Sequence, residues 1–334
     1  MGGWHAKYLT KSDVFELAGI YDIKEERRAL AESQGIHAYA TREELLADPR
    51  IELVTVATPN DTHEEIVISA LRAGKNVICE KPVTITPDSL ERMIAVAEEC
   101  GKLFTVHQNR RFDTDFLVMK EIYDSGELGE FINVESRVHG SRGIPGDWRN
   151  KKEHGGGMLY DWGIHLIDQA LMMLGWDVDS VYCRVDNITN AEVDDGFHLD
   201  IVTKSGKRAF IEVGTYNFIS LPRWYMRAEL GSALVQGWKD EAEIVRCTNL
   251  HEGDAKPVVT AAGLTKTMAP RTNASTENCR KPQPAADVHD FYRNMHAAID
   301  GKATQLVTHE QMRIDLRVIM CAFESAESGK IVKF

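Results

Sequence analysis

The sequence predicts an α/β fold in two parts. Residues 1–109 read as a Rossmann-like unit, a doubly wound parallel sheet without its first strand, and residues 110–334 as an α+β unit with an open, largely antiparallel mixed sheet. Three observations carry this. Strand and helix patterns alternate through the N-terminal third, as they do in parallel βαβ units. After about Arg110 the alternation gives way to paired strand patterns joined by short turns. The 334 residues match two domains of roughly 100–200 residues each.

The elements follow in order. Residues 15–22 (FELAGIYD) read as a strand and 24–34 as a charged, Ala-rich helix. Thr41 and Glu44 form a capping box ahead of a short helix. Residues 53–57 (LVTVA) read as a buried strand, 63–73 as a helix closed by Gly74, and 76–80 (NVICE) as the next strand. Thr86 and Pro87 open a helix that runs to Cys100, with Pro87 in the first turn, where its missing N–H does no harm. Residues 103–108 give a further strand. In the second part, 113–125 is a helix closed by Gly126, 131–139 a strand, and 158–174 a helix entered through a Gly/Pro/Trp loop. Hairpins are expected around Ser205-Gly206-Lys207 and around Gly231-Ser232. Residues 251–284, rich in Pro, Thr, Asn and Gly, read as a long surface loop. Helices at 285–300 and 308–328 close the chain, the last able to pack back on the first unit.

Composition narrows the partners. With 39 basic against 51 acidic residues the net charge is −12, which argues against nucleic acid or an anionic membrane as the main partner and for a neutral small molecule. Hydrophobic residues make up 43% of the chain, enough for an ordinary core. The six cysteines stand in no CxxC spacing and read as reduced, in a cytoplasmic protein. No stretch reads as a signal peptide or approaches the ~20 apolar residues of a membrane span.

Four motifs sit where such folds place their chemistry. The first is Met1-Gly2-Gly3-Trp4-His5-Ala6, read either as a flexible tail or as the end of a dinucleotide fingerprint, with Gly2 its last glycine. Followed by FELAGIYD, the second reading is preferred. Asp22 at the end of that strand is placed to accept hydrogen bonds from the adenosine ribose, favouring NAD over NADP; it also suits a turn or N-cap. Thr58, Pro59, Asn60 and His63 follow a buried strand at the sheet's carboxyl edge. Glu80-Lys81-Pro82 ends another strand on the same edge, and Lys81 there is either a surface lysine or one placed to stabilise an alkoxide.

The strongest local signal is Gly155-Gly156-Gly157 followed by Asp161, His165 and Asp168, at i, i+4 and i+7 on a mostly apolar helix. A histidine there can take a proton, with Asp161 to orient it; a satisfied structural His–Asp pair is the plainer alternative. No metal is expected, because HxxxH and HExxH are absent.

Taken together, GGWHA, ATPN, EKP, Asn109-Arg110-Arg111, Trp148-Arg149, GGGxxxDxGxHxxD and the tail segments 290–294 and 325–330 resemble the Gfo/Idh/MocA oxidoreductase family over nearly the whole chain. The resemblance implies NAD-dependent oxidation or reduction of a secondary alcohol of a sugar, inositol or glycoside. It implies Lys81, Asp161 and His165 as catalytic residues, and Gly2, Asp22, Thr58, Pro59, Asn60, His63, Glu80 and Lys81 as cofactor contacts. Arg111, Trp148, Arg149 and Asp168 would bind substrate, and the second sheet would join a homodimer or homotetramer; His139 and His154 are further pocket candidates from their position flanking the Gly/Pro/Trp loop, which the family pattern does not fix. The sequence departs from the family in lacking the first strand and a complete GxGxxG, which leads to the expectation that roughly 10–15 residues precede Met1 in the native protein. Two competing readings have their own tests. An NAD-dependent glycosidase would turn over without accumulating NADH, and a non-catalytic nucleotide sensor would bind NADH without turnover.

Overall fold

The computed structural model describes residues 1–252 and 256–334. The first unit opens with helices α1 (Gly2–Leu9), α2 (Glu25–Ser33) and α3 (Arg42–Ala47). It continues through β1 (Leu53–Val56), α4 (His63–Arg72), β2 (Asn76–Cys79), α5 (Pro87–Cys100) and β3 (Phe104–Val106). The strands form a parallel sheet in the order β1-β2-β3. All four residues of β2 are buried, as its central place requires. Thr41 caps α3 and Thr86 caps α5, each accepting from a backbone N–H three residues on.

Residues 15–22 do not form the expected full strand. They meet their neighbour only through a parallel bridge, Ile20 to Ala38. The approach is close: a Cβ on Gly19 would stand 2.7 Å from the His37 carbonyl oxygen. Neither this bridge nor the outer edge of β1 is paired to a further strand among the described residues, and without a second neighbour a ladder does not propagate.

The second unit comprises α6 (Thr114–Ser125), β4 (Phe131–His139), α7 (Ile164–Leu174), β5 (Val178–Asp186), β6 (Gly196–Thr203), β7 (Arg208–Gly214), β8 (Trp224–Ala228), β9 (Gly231–Val235) and β10 (Ala242–Cys247). It ends with a small hairpin of β11 (Val258–Thr260) and β12 (Gly263–Thr265), then β13 (Thr276–Lys281), α8 (His289–Ile299), α9 (His309–Ser328) and β14 (Val332–Lys333). Nine strands form one sheet, β13-β10-β9-β8-β4-β7-β6-β5-β14, in which only β4 and β7 run parallel. Its apolar face is covered by α6, α7 and α9 around Phe116, Ile167, Phe197, Ile211 and Ile319.

Two expectations are corrected. Gly231-Ser232 is not a turn: Gly231 already pairs with Ala228, and Glu229-Leu230 makes the connection. Residues 251–284 are not one loop, because β13 pairs with β10 through six residues. There Asn278 and Cys279 fill an edge position that polarity alone does not forbid. The core of the first unit is completed from the far end of the chain. Phe291, Tyr292 and Met295 of α8 and Met312 and Leu316 of α9 pack with Val56, Ile78 and Phe104.

Candidate active site

The carboxyl ends of β1, β2 and β3 point at the start of α7. The joint is tied by Asn60 Nδ2 donating to the Gly155 carbonyl (3.0 Å) and by Tyr160 donating to the Ile85 carbonyl (2.9 Å). Gly155 has φ +66°, and a Cβ there would meet Ile85 at 2.3 Å, so the close approach demands glycine.

Lys81 lies at the centre of this joint. Its Nζ donates to the Asp161 carboxylate and to the Asp161 carbonyl, both at 2.8 Å, and Arg149 Nε approaches the other carboxylate oxygen at 3.4 Å. Burial pushes the Asp161 carboxyl up, but the charge and hydrogen bond of Lys81, with Arg149, hold it below the ordinary value. The side chains of Lys81 and Asp161 stay 12% and 17% exposed, so the pair can be reached from solvent.

His165 faces the same joint. Its Nδ1 is 3.2 Å from Gln108 Oε1; the amide oxygen accepts, so Nδ1 carries the proton and Nε2 keeps a lone pair. Burial, then the charges of Lys81 and Arg110, press its pKa well below the ordinary value, so the ring is neutral. The expected Asp161–His165 hydrogen bond is absent among the described residues. Leu159–Gly163 is a π-helical turn that disturbs the i, i+4 offset, and Lys81 and Arg149 hold the Asp161 carboxylate in place of the imidazole.

Other expected site residues are engaged elsewhere. Arg111 and Asp168, foreseen in the substrate pocket, form a bidentate pair with side chains 4% and 1% exposed, below the site and closed to solvent. Arg111 also donates to the Leu306 carbonyl (2.9 Å). His63, foreseen at the cofactor, is fully buried, with Nδ1 3.0 Å from the Pro82 carbonyl and Nε2 3.0 Å from the Thr58 carbonyl. It staples two strand-end loops, as Asn60 staples the first unit to the second. Glu80 is buried and accepts from His5 Nε2 (2.6 Å), His107 Nδ1 (3.0 Å) and the Lys81 N–H (3.2 Å). His139 lies on the sheet face opposite α7, 3.1 Å from Glu212. Gly2 begins α1, but a Cβ there would meet nothing within 4 Å, so no close strand packing demands it. Thr58, Pro59, Trp148, Arg149 and His154 stay at the rim, with Trp148 under the Arg149 guanidinium at 4.6 Å and His154 3.1 Å from Asp61.

Several further residues without a predicted role line the joint. His107 and Gln108 directly follow β3, where the carboxyl-edge rule points. Arg110 lies over Trp162 at 4.0 Å and Trp238 at 5.5 Å, making an aromatic wall beside His165. Asp194 accepts from the Leu159 N–H at 2.8 Å and so caps the helix that carries Asp161; burial raises its pKa to about 6. His5, Glu80 and His107 form the one His/Glu cluster with metal-ligand spacing among the described residues. Its contacts of 2.6 and 3.0 Å are hydrogen bonds, shorter than the about 3.3 Å between ligands of a tetrahedral zinc.

Two family models match the chain: an oxidoreductase family with an NAD-binding Rossmann fold over residues 1–108, and the Gfo/Idh/MocA C-terminal domain over residues 116–233. An uncharacterised oxidoreductase of Schizosaccharomyces pombe is 31% identical, across 91% of this chain and 86% of its own. The chain belongs to the Gfo/Idh/MocA oxidoreductase family. Among its Gfo/Idh/MocA relatives, a scyllo-inositol 2-dehydrogenase (NADP(+)) of Bacillus subtilis is 28% identical over 98% of this chain and 91% of its own. The crystal structure of an NAD-binding protein from Listeria innocua superposes with a TM-score of 0.96 at 43% identity, covering 100% of this chain and 96% of that one. No described helix is long and apolar enough to cross a membrane.

The residues present fit the NAD of this family. Asp22 Oδ1 accepts from the Lys24 N–H (2.9 Å), leaving its second oxygen for a ribose hydroxyl. The first-turn N–H groups of α1 have open space beside Gly2 and Gly3, as an approaching phosphate needs.

Proposed function

We propose that this chain oxidises a secondary alcohol of an inositol, sugar or glycoside, with Lys81, Asp161 and His165 as its catalytic residues. The observation that carries the reading is one cation and one neutral base at one joint: the solvent-reachable Lys81–Asp161 pair beside a histidine whose free nitrogen is Nε2. In this reading His165 Nε2 takes the hydroxyl proton, and the Lys81 ammonium, oriented by Asp161, stabilises the developing alkoxide. NAD, when bound, supplies the hydride acceptor. Asp22 would repel a 2′-phosphate, which favours NAD for this chain although its Bacillus relative is named for NADP(+). The Arg110–Trp162–Trp238 wall supplies flat aromatic surface suited to a ring face. Self-association through the exposed face of the nine-stranded sheet belongs to the same reading, and light scattering on the purified chain tests it.

The deciding experiment is NAD⁺ reduction, followed by absorbance, with scyllo-inositol, myo-inositol and methyl glucosides. Lys81→Ala and His165→Ala are each expected to lower kcat by about 10²–10⁴-fold. Near-normal turnover in both variants would refute the assignment. Turnover of a glycoside without net NADH would instead mark a glycosidase.

A further inference from the structure

Glu80 is the residue of the EKP segment that faces inward. Its side chain is 4% exposed, and the groups around it are His5 from α1, His107 from the end of β3, and Tyr292 from α8 beyond His5. A carboxylate this deep stays ionised only when donors surround it. Burial pushes it up, yet hydrogen bonds from His107 and His5 hold it well below the ordinary value.

The donors fix the protons. Among the described residues His107 Nε2 is buried with no partner, so the ring N–H that is bonded is the one on Nδ1, which points at Glu80. His5 gives Nε2–H to the same oxygen, while its Nδ1 lies 2.6 Å from the Tyr292 hydroxyl, which donates to it. The other oxygen of Glu80 accepts from the Lys81 backbone N–H. The cluster is thus a single buried negative charge attached to the backbone of Lys81.

We propose, building on the function above, that Glu80 is a positioning residue: taking His5 and His107 on one oxygen, through opposite ring nitrogens, it anchors the backbone of Lys81 with the other and sets the charge behind the site that His165 faces. The charged groups facing His165 set the balance. Lys81 and Arg110 oppose its protonation, and Glu80 supports it. Asp161 is turned to Lys81 and Arg149, and Asp168 to Arg111. Burial and the Asp168 charge push Asp315 toward its neutral form. Removing the Glu80 charge therefore leaves His165 a weaker base.

The test uses the full chain labelled with ¹⁵N-histidine, its ring signals assigned with His5→Gln, His107→Gln and His165→Gln variants. In neutral buffer the wild-type chain is expected to show His5 as the Nε2–H form and His107 as the Nδ1–H form. A His107 that is Nε2–H or doubly protonated overturns the proposal, and this result needs neither a folded Glu80 variant nor a known substrate. In Glu80→Gln, which keeps the shape and the acceptor oxygen, the His165 titration is expected to move down by about one pH unit. The acid limb of kcat/KM, read with scyllo-inositol and NAD⁺, moves with it, while Glu80→Asp restores both. A folded Glu80→Gln with an unmoved His165 titration overturns the proposal. If the wild type oxidises no polyol offered, the substrate class above falls, and the ring-nitrogen spectra still decide the Glu80 role.

Discussion

Two carboxylates about two turns apart, Asp161 and Asp168, each meet a cation that follows a strand of the parallel sheet, and they do so in opposite surroundings. Asp161 meets Lys81 at the mouth of the joint, where both side chains keep some exposure. Asp168 meets Arg111 on the floor, where both are sealed. A lysine is a point charge on a flexible stem, whereas the arginine fork is always charged and matches a carboxylate in two places. The difference teaches that the reachable pair is open to a third party, as the proposed function needs, whereas the sealed pair fixes the segment after β3 to α7. At the level of sequence both are an acid on a helix and a base after a strand.

The sharpest way to break this comparison is Arg111→Ala. It leaves Asp168 beside the buried Asp315 with no cation, and a loss of about 3–5 kcal/mol is expected in urea denaturation. Lys81→Ala should instead lower turnover strongly and cost less stability than Arg111→Ala, because Arg149 still faces the Asp161 carboxylate. If the two variants lose equal stability, the division between floor and mouth is wrong.

Next in size is Gly157→Ala at the entry to the helical segment that carries Asp161 and His165. Its φ is +102°, and a Cβ would lie 2.1 Å from Asp194 Oδ1. We expect a loss of about 1–3 kcal/mol with reduced turnover, because the strain falls on the cap of Leu159. Asp315→Asn sharpens the floor. Asp315 has a folded pKa raised above the 3.8 of the unfolded chain, by burial first and the Asp168 charge second. Its favourable contribution is full below 3.8 and is lost as pH rises through the folded value. The stability of Asp315→Asn relative to wild type should therefore improve as pH rises, and a flat difference between mildly acidic and alkaline buffer would refute the assignment. The smallest effect is expected at Arg313→Ala. Its pair with Glu91 is exposed, and its loss should cost below about 0.5 kcal/mol.

Much of this was legible in the chain. The alternation of apolar strands with capped helices announced the parallel sheet, and strand ends at Lys81 and Gln108 fall on one edge as the βαβ rule requires. Asp161 and His165 were legible as neighbours of the site but not as partners. A helical spacing rule assumes 3.6 residues per turn, and nothing local in Leu159–Gly163 declares a wider turn. Arg111 and Asp168 read as pocket residues, and their burial as a sealed pair was not legible, because sequence shows charge type but not depth. His5, Glu80 and His107 are separated by many residues, and only the packing of α1 over the ends of β2 and β3 brings them together. The strand at Thr276–Lys281 was hidden because an edge strand needs no hydrophobic run.

The closure of the first core by α8 and α9 has a consequence for how the chain is made. Phe291, Tyr292, Met295, Met312 and Leu316 complete the packing around Ile78 and Phe104. Thr105 donates to the Val307 carbonyl at 3.1 Å, and His309 to the Phe104 carbonyl at 3.0 Å. Residues 1–109 leave the ribosome first, yet they must wait for residues 289–316 before their sheet is covered. At about 5–20 residues per second that interval is roughly ten seconds or more, during which the nascent chain carries an open apolar sheet of the kind that chaperones recognise.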